Sequence, residues 1–98
     1  MRCRHADRRL AKVEADPKAT LGRGKNVDQA YRARMQFIRA ARDENDLRQW
    51  KSLHLERLRG DRAGQWSIRL KDQWRLILTF EKDDDGKLVV VVEVVDYH

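Results

Sequence analysis

The residues able to move protons near neutral pH sit mostly in the second half of this 98-residue chain. His54 and His98 fall there, and the last three residues are Asp96, Tyr97 and His98. Unperturbed imidazole titrates near pH ~6.5, so it can give or take a proton under ordinary conditions. The same half carries Arg57, Arg59, Arg62, Arg69, Lys71 and Arg75. RNA is cleaved without metal when a base activates the 2′-hydroxyl, an acid protonates the leaving 5′-oxygen, and cations stabilise the crowded phosphorane. Each proton-transfer partner contributes about 10²–10⁴-fold, and a positioned arginine acts on the developing charge. A histidine pair, a tyrosine and clustered arginines are suitable parts for that reaction. Taken singly, each part has a blander reading. A lone strand histidine is more often a satisfied structural side chain, and chain ends are commonly frayed.

Other chemistry finds less support. Trp66 and Trp74 alternate with aliphatic residues, which favours core packing over base stacking; Trp50 stays open. Asp83, Asp84 and Asp85 read as a solvated hairpin tip, and no carboxylate spacing suits a metal there. No zinc-ligand pattern, glycine-rich phosphate loop or catalytic serine arrangement is present, so neither metal nor cofactor is expected. Cys3 is the single cysteine, which precludes an internal disulfide and fits a reducing compartment with an inert thiol.

The elements that must position these residues follow from periodicity. Met1 to His5 is a weak candidate for an edge strand. Asp7 caps a helix from Arg8 to about Ala15, with Leu10 and Val13 inward, and Asp16-Pro17 stops it. A loop with Gly22 and Gly24 leads to Asn26, which is placed to cap a longer helix through about Ala41, with Gln29 completing a capping box. Val27, Ala30, Tyr31, Met35, Ile38 and Ala41 form its core stripe. Asp43 to Asp46 reads as a polar break, and Leu47 to Trp50 as a turn of helix. From Ser52 the period becomes two. Strands are expected over Ser52 to Leu58, which would contain His54, and over Gln65 to Leu70. A tight turn at Lys71-Asp72-Gln73 leads to an inner row of Trp74, Leu76, Leu78 and Phe80. Asp85-Gly86 supplies a hairpin turn, and Leu88 to Val95 is β-branched enough for a central strand. Helices followed by strands indicate an α+β domain, two N-terminal helices on one face of a small, mainly antiparallel sheet. Its other face is expected to be partly open, with Arg69, Lys71 and Arg75 clustered over it.

Composition bounds the partners. The chain is 39% charged with a formal net charge of +6, and its length suits a single domain spanning 1–98. The basic excess favours a polyanion, whose condensed counterions are released on binding; a merely solvated charged surface is equally compatible with charge alone. No apolar run has bilayer length and no apolar stretch follows the N-terminal arginines, so a cytoplasmic protein with no membrane association is expected.

Three segments carry a family resemblance: the run from His54 through Arg59-Gly60-Asp61 to Trp66-Ser67-Ile68-Arg69, then Gln73-Trp74-Arg75-Leu76, then the closing Val95-Asp96-Tyr97-His98. Together they resemble the HigB-type toxins of the RelE-like superfamily, the type II toxin–antitoxin or plasmid maintenance killer proteins. The likeness is concentrated in residues 50–98. It implies a RelE-like fold and an endoribonuclease that cleaves mRNA on the ribosome and inhibits translation. The implied partners are the ribosome, mRNA and a cognate antitoxin, usually of helix-turn-helix type, with operator DNA reached only through that antitoxin. By the same resemblance His54, Arg75, Asp96, Tyr97 and His98 are catalytic. Arg75 would serve the scissile phosphate, and His54 and His98 proton transfer, with acid and base unassigned. Tyr97 would orient or stack on mRNA, and Asp96 would position a neighbour. Arg57, Arg59, Arg62, Arg69 and Lys71 would hold RNA backbone. The alternatives are a non-catalytic RNA- or antitoxin-binding module on the same scaffold and a plain nucleic-acid-binding regulator.

Overall fold

The computed structural model describes residues 1–96; Tyr97 and His98 lie outside the described residues. The chain opens with strand β1 (Arg2–His5) and then forms helices α1 (Arg8–Ala15), α2 (Lys25–Ala40) and α3 (Glu44–Gln49). Strands β2 (Glu56–Arg57), β3 (Trp66–Arg69), β4 (Trp74–Asp83) and β5 (Gly86–Asp96) follow. The five strands lie in the order β1-β5-β4-β3-β2. β1 runs parallel to β5, and the other neighbours are antiparallel. This is the expected α+β arrangement, with one helix more than the two anticipated.

Local chemistry explains most boundaries. The Asp7 carboxylate accepts the Arg9 N–H at 2.7 Å and starts α1; the helix ends at Asp16, just before Pro17. The expected cap at Asn26 is wrong: α2 begins at Lys25, after Gly24 turns the chain with φ 102, and no side chain caps it. Nor does Gln29 complete a box. The first-turn acid that is used is the buried Asp28, which accepts from the Thr20 hydroxyl at 2.6 Å and the Leu21 N–H at 3.0 Å. That carboxylate ties the preceding loop to α2 and favours its positive end. Asp43 accepts from the Asn45 and Asp46 N–H groups, so the anticipated polar break is a helix cap for α3.

The core forms between the helices and one sheet face. Val13, Tyr31, Met35, Ile38 and Leu47 meet Ile68, Leu76, Leu78, Val89 and Val91 there. Tyr31 is buried and its hydroxyl donates to the Leu10 carbonyl at 2.8 Å; burial pushes its pKa well above the ordinary phenol range, which keeps it a neutral donor. Burial also raises the Cys3 thiol, so it stays protonated and unreactive at neutral pH. Arg32 donates to the carbonyls of Val13, Asp16 and Ala19 and so fastens α2 to the end of α1 and the loop after it.

The strand expected over Ser52 to Leu58 is largely absent. Lys51–Leu53 is a 3-10 turn, His54 is left-handed with φ 49 and ψ 52, and only Glu56–Arg57 pair as strand. The cause is tertiary. Leu53 belongs to the helix-side core while Leu58 is buried outside it, and the turn lets one short segment anchor in both places. The two later turns are as expected. At Lys71–Gln73 the Trp74 N–H reaches the Lys71 carbonyl at 2.9 Å, with Asp72 at φ 53. In the hairpin Asp83 faces Gly86, whose φ is 111.

The outer sheet face is less open than alternation suggested. Ser67 and Ile77 are fully buried there. Ser67, Ile77 and Glu93 lie side by side on β3, β4 and β5. Arg62, from the segment between β2 and β3, reaches across this row to the Glu93 carboxylate and also donates to the Gln65 Oε1 at 2.9 Å. That segment covers the middle of the face. What stays accessible is the margin where β3 and β4 meet.

Candidate active site

At that margin Arg69 lies directly opposite Arg75, and Arg75 opposite Val95. Paired residues in antiparallel strands share a face, so both arginines rise from the outer face as the sequence pattern requires. Arg69 is exposed. With Lys71, Asp72, Leu70, His54, Ser52 and Arg34 it lines an open groove of about 330 Å³. The β3–β4 turn supplies Lys71 and Asp72; the turn after α3 supplies His54 and Ser52. Arg34 comes from α2 and donates its Nε–H to the Arg69 carbonyl at 2.9 Å, which fixes the end of β3 against the helix. His54 is exposed. Its carbonyl accepts a hydrogen bond from Arg75 Nη1 at 3.2 Å, and Arg75 Nη2 stands 3.9 Å from a Glu56 carboxylate oxygen.

The expected residues therefore divide. His54, Arg69 and Lys71 share one groove, and Arg75 backs it through the His54 carbonyl. Arg57 and Arg59 line a neighbouring shallow groove of about 370 Å³ with Gly60 and Gly64. Arg62 is committed to Glu93 and Gln65. Asp96 ends β5 opposite Trp74, a register position on the helix-side face, whereas Arg69 and Arg75 stand on the other. Tyr97 and His98, expected as catalytic, lie outside the described residues. Arg34, Ser52, Glu56 and Asp72 were not singled out as site residues from the sequence. Nothing in the helical period distinguishes Arg34 from any other residue off the core stripe, and Glu56 was lost in the assumption of a regular strand.

The aromatic side chains have structural partners. Trp66 meets Phe80 edge-on with ring centroids 5.7 Å apart, and the Arg48 guanidinium lies 5.4 Å from the Trp66 ring centre. Arg23 lies 5.3 Å from the centre of the Trp74 ring. Trp50 is exposed and packs on Phe37 at 4.7 Å. Among the described residues no group of three or more His, Cys, Asp or Glu could hold a metal ion. Nor is any of their helices long and apolar enough to cross a membrane.

The family model for the RelE-like toxin of the type II toxin–antitoxin system HigB matches residues 5–98. The chain belongs to this HigB-like toxin family. It is thus a toxin of the type II kind, whose counterpart is an antitoxin. Among solved structures, a YoeB/ParE toxin from Agrobacterium tumefaciens is 13% identical, with both chains covered in full and a TM-score of 0.61. That likeness is one of fold. The toxin–antitoxin complex RelBE2 from Mycobacterium tuberculosis contains a chain 22% identical to this toxin, over 99% of this chain and 96% of that one, with a TM-score of 0.47. No curated protein matches the toxin.

Proposed function

We propose that this toxin is a metal-independent endoribonuclease that cuts mRNA on the ribosome and so inhibits translation. The observation that carries the reading is the groove at the β3–β4 margin, which the exposed His54 lines together with Arg69 and Lys71. Among the described residues neither cation has an acidic partner, whereas Arg2, Arg4, Arg39, Arg42, Arg48 and Arg62 are each paired with a carboxylate. Unpaired cations beside a proton-transfer group suit a phosphodiester.

In the proposed reaction a base takes the 2′-hydroxyl proton and the 2′-oxygen attacks phosphorus. The bond from phosphorus to the 5′-oxygen breaks as an acid protonates that oxygen, leaving a 2′,3′-cyclic phosphate and a 5′-hydroxyl. His54 and His98 share the two proton transfers, in an order not assigned. Arg69 and Lys71 hold the RNA backbone at the cut, and Arg57 and Arg59 extend that contact along the neighbouring groove. Tyr97 orients or stacks on the mRNA, and Asp96 positions a neighbour. The antitoxin is of helix-turn-helix type and supplies the contact with operator DNA.

Expression without an antitoxin tests the reading. Growth arrest is expected, with ribosome-bound mRNA cleaved to 5′-hydroxyl ends. Deleting Tyr97 and His98 should relieve the arrest while the far-ultraviolet circular dichroism is unchanged. Full toxicity of that truncated protein would overturn the catalytic assignment. Arrest with intact mRNA would favour a non-catalytic binding module.

A further inference from the structure

Among the described residues, His54 and Asp72 are the non-glycine residues with positive φ. Asp72 sits in a tight turn, where such a conformation is common for Asp. His54 is different. It ends the 3-10 turn Lys51–Leu53 with φ 49 and ψ 52, a place where glycine or asparagine closes a helical turn with least strain. A bulkier residue kept in a strained conformation beside a groove points from strain to function.

Two hydrogen bonds bracket this residue. Its own N–H donates to the Lys51 carbonyl at 3.1 Å, and its carbonyl accepts from Arg75 Nη1 at 3.2 Å. The Arg75 side chain is only 17% exposed. It stands on β4 between Arg69 and Val95, held by strand pairing on both sides. Its second terminal nitrogen faces Glu56, two residues beyond His54. The guanidinium thus spans from a paired inner strand to the His54 carbonyl on one side of Leu55 and the Glu56 carboxylate on the other, and its most direct bond is to the neutral carbonyl.

We propose that Arg75, steadied by Glu56, is a positioning residue that locks His54 in its left-handed conformation and so aims the imidazole over the groove. This rests on reading His54 as a proton-transfer group. It moves Arg75 away from the scissile phosphate and brings in Glu56, which no motif singled out. Phosphate binding is then left to Arg69 and Lys71.

The test compares Arg75→Ala and Arg75→Lys with the unaltered toxin in three measurements. Nuclear magnetic resonance couplings report φ at residue 54 without any need for cleavage. Cleavage of ribosome-bound mRNA separates kcat from KM. Binding to ribosomes carrying an uncleavable 2′-deoxy mRNA gives the salt dependence. For Arg75→Ala the positive φ should be lost and kcat should fall about a hundredfold, in keeping with the effect of a misplaced catalytic group. KM and the salt slope should hold. Arg75→Lys keeps one donor for the carbonyl and should retain the positive φ and part of kcat. A φ that stays positive in Arg75→Ala would overturn the proposal. So would a salt slope lower by about 0.7, the signature of one lost single-strand phosphate contact. If the unaltered toxin does not cut RNA, the function fails while the φ measurement still decides whether Arg75 is a brace. Should Arg75→Ala not fold, Glu56→Gln takes its place, with a smaller loss of kcat and an unchanged salt slope expected.

Discussion

Replacing Arg69 and Lys71 by alanine removes two groove cations that have no acidic partner among the described residues, and its effect on binding can be worked out in advance. Binding of a cation to single-stranded RNA releases condensed counterions, with a slope in log K against log salt of about 0.7 per phosphate neutralised. If each of the two side chains meets one phosphate, the double variant should lose about 1.4 from that slope. Between about 50 and 200 mM salt, a fourfold change, the unaltered toxin should therefore lose roughly sevenfold more affinity than the variant does. Arg62→Ala is the control, because its guanidinium is held by Glu93 and Gln65. That variant should leave the slope unchanged and lower stability instead. The assay is equilibrium binding of a fluorescent, uncleavable mRNA on ribosomes at a series of salt concentrations. A slope equal to that of the unaltered toxin in Arg69→Ala/Lys71→Ala, or an equal drop in Arg62→Ala, would refute sorting the cations by their partners.

Three further outcomes follow from the packing. Arg39 hydrogen-bonds Glu14 and holds its carboxyl below the ordinary range, against desolvation and with help from His5. A lowered folded pKa makes this contribution complete above the unfolded value of about 4.3, and it is lost as pH falls through the lower folded value. Glu14→Gln should thus cost about 1–3 kcal/mol at neutral pH, and urea titrations of the two proteins should converge in acid. At His54 the left-handed backbone should make His54→Gly more stable than His54→Ala by about 1 kcal/mol, as denaturant midpoints will show. Leu76 is fully buried in the core, and Leu76→Ala should cost about 2–5 kcal/mol by calorimetry.

The parts of the fold that were legible in the sequence are those where local chemistry and tertiary packing agree. Asp7, the α2 stripe from Val27 to Ala41 and the period-two rows of β3 and β4 all point the same way at both levels. So do the Lys71–Gln73 turn and the Asp-Gly hairpin. Reading failed where a distant contact decides. Asn26 is a good cap in isolation, but Asp28 is drawn inward by Thr20 and Leu21 and Gly24 makes the turn. His54 looked like a strand residue because Ser52 to Leu58 alternates, yet Leu53 and Leu58 must be buried in different places. The positions of Arg69 and Arg75 were readable from alternation alone. Their partners were not, since the His54 carbonyl and Glu56 reach Arg75 from a segment some twenty residues away. Arg62 was read as one more free cation, and only the fold brings Glu93 to it.

Cleavage of ribosome-bound mRNA by purified toxin carrying His54→Asn tests the central claim most directly. Asparagine tolerates the left-handed backbone but moves no proton at neutral pH, so the fold and the groove cations stay as they are. The account predicts that the unaltered toxin cuts and leaves 5′-hydroxyl ends, and that His54→Asn binds the ribosome equally well with cleavage lower by about 10²–10⁴-fold. Equal cleavage by His54→Asn, or none by the unaltered toxin, would contradict it.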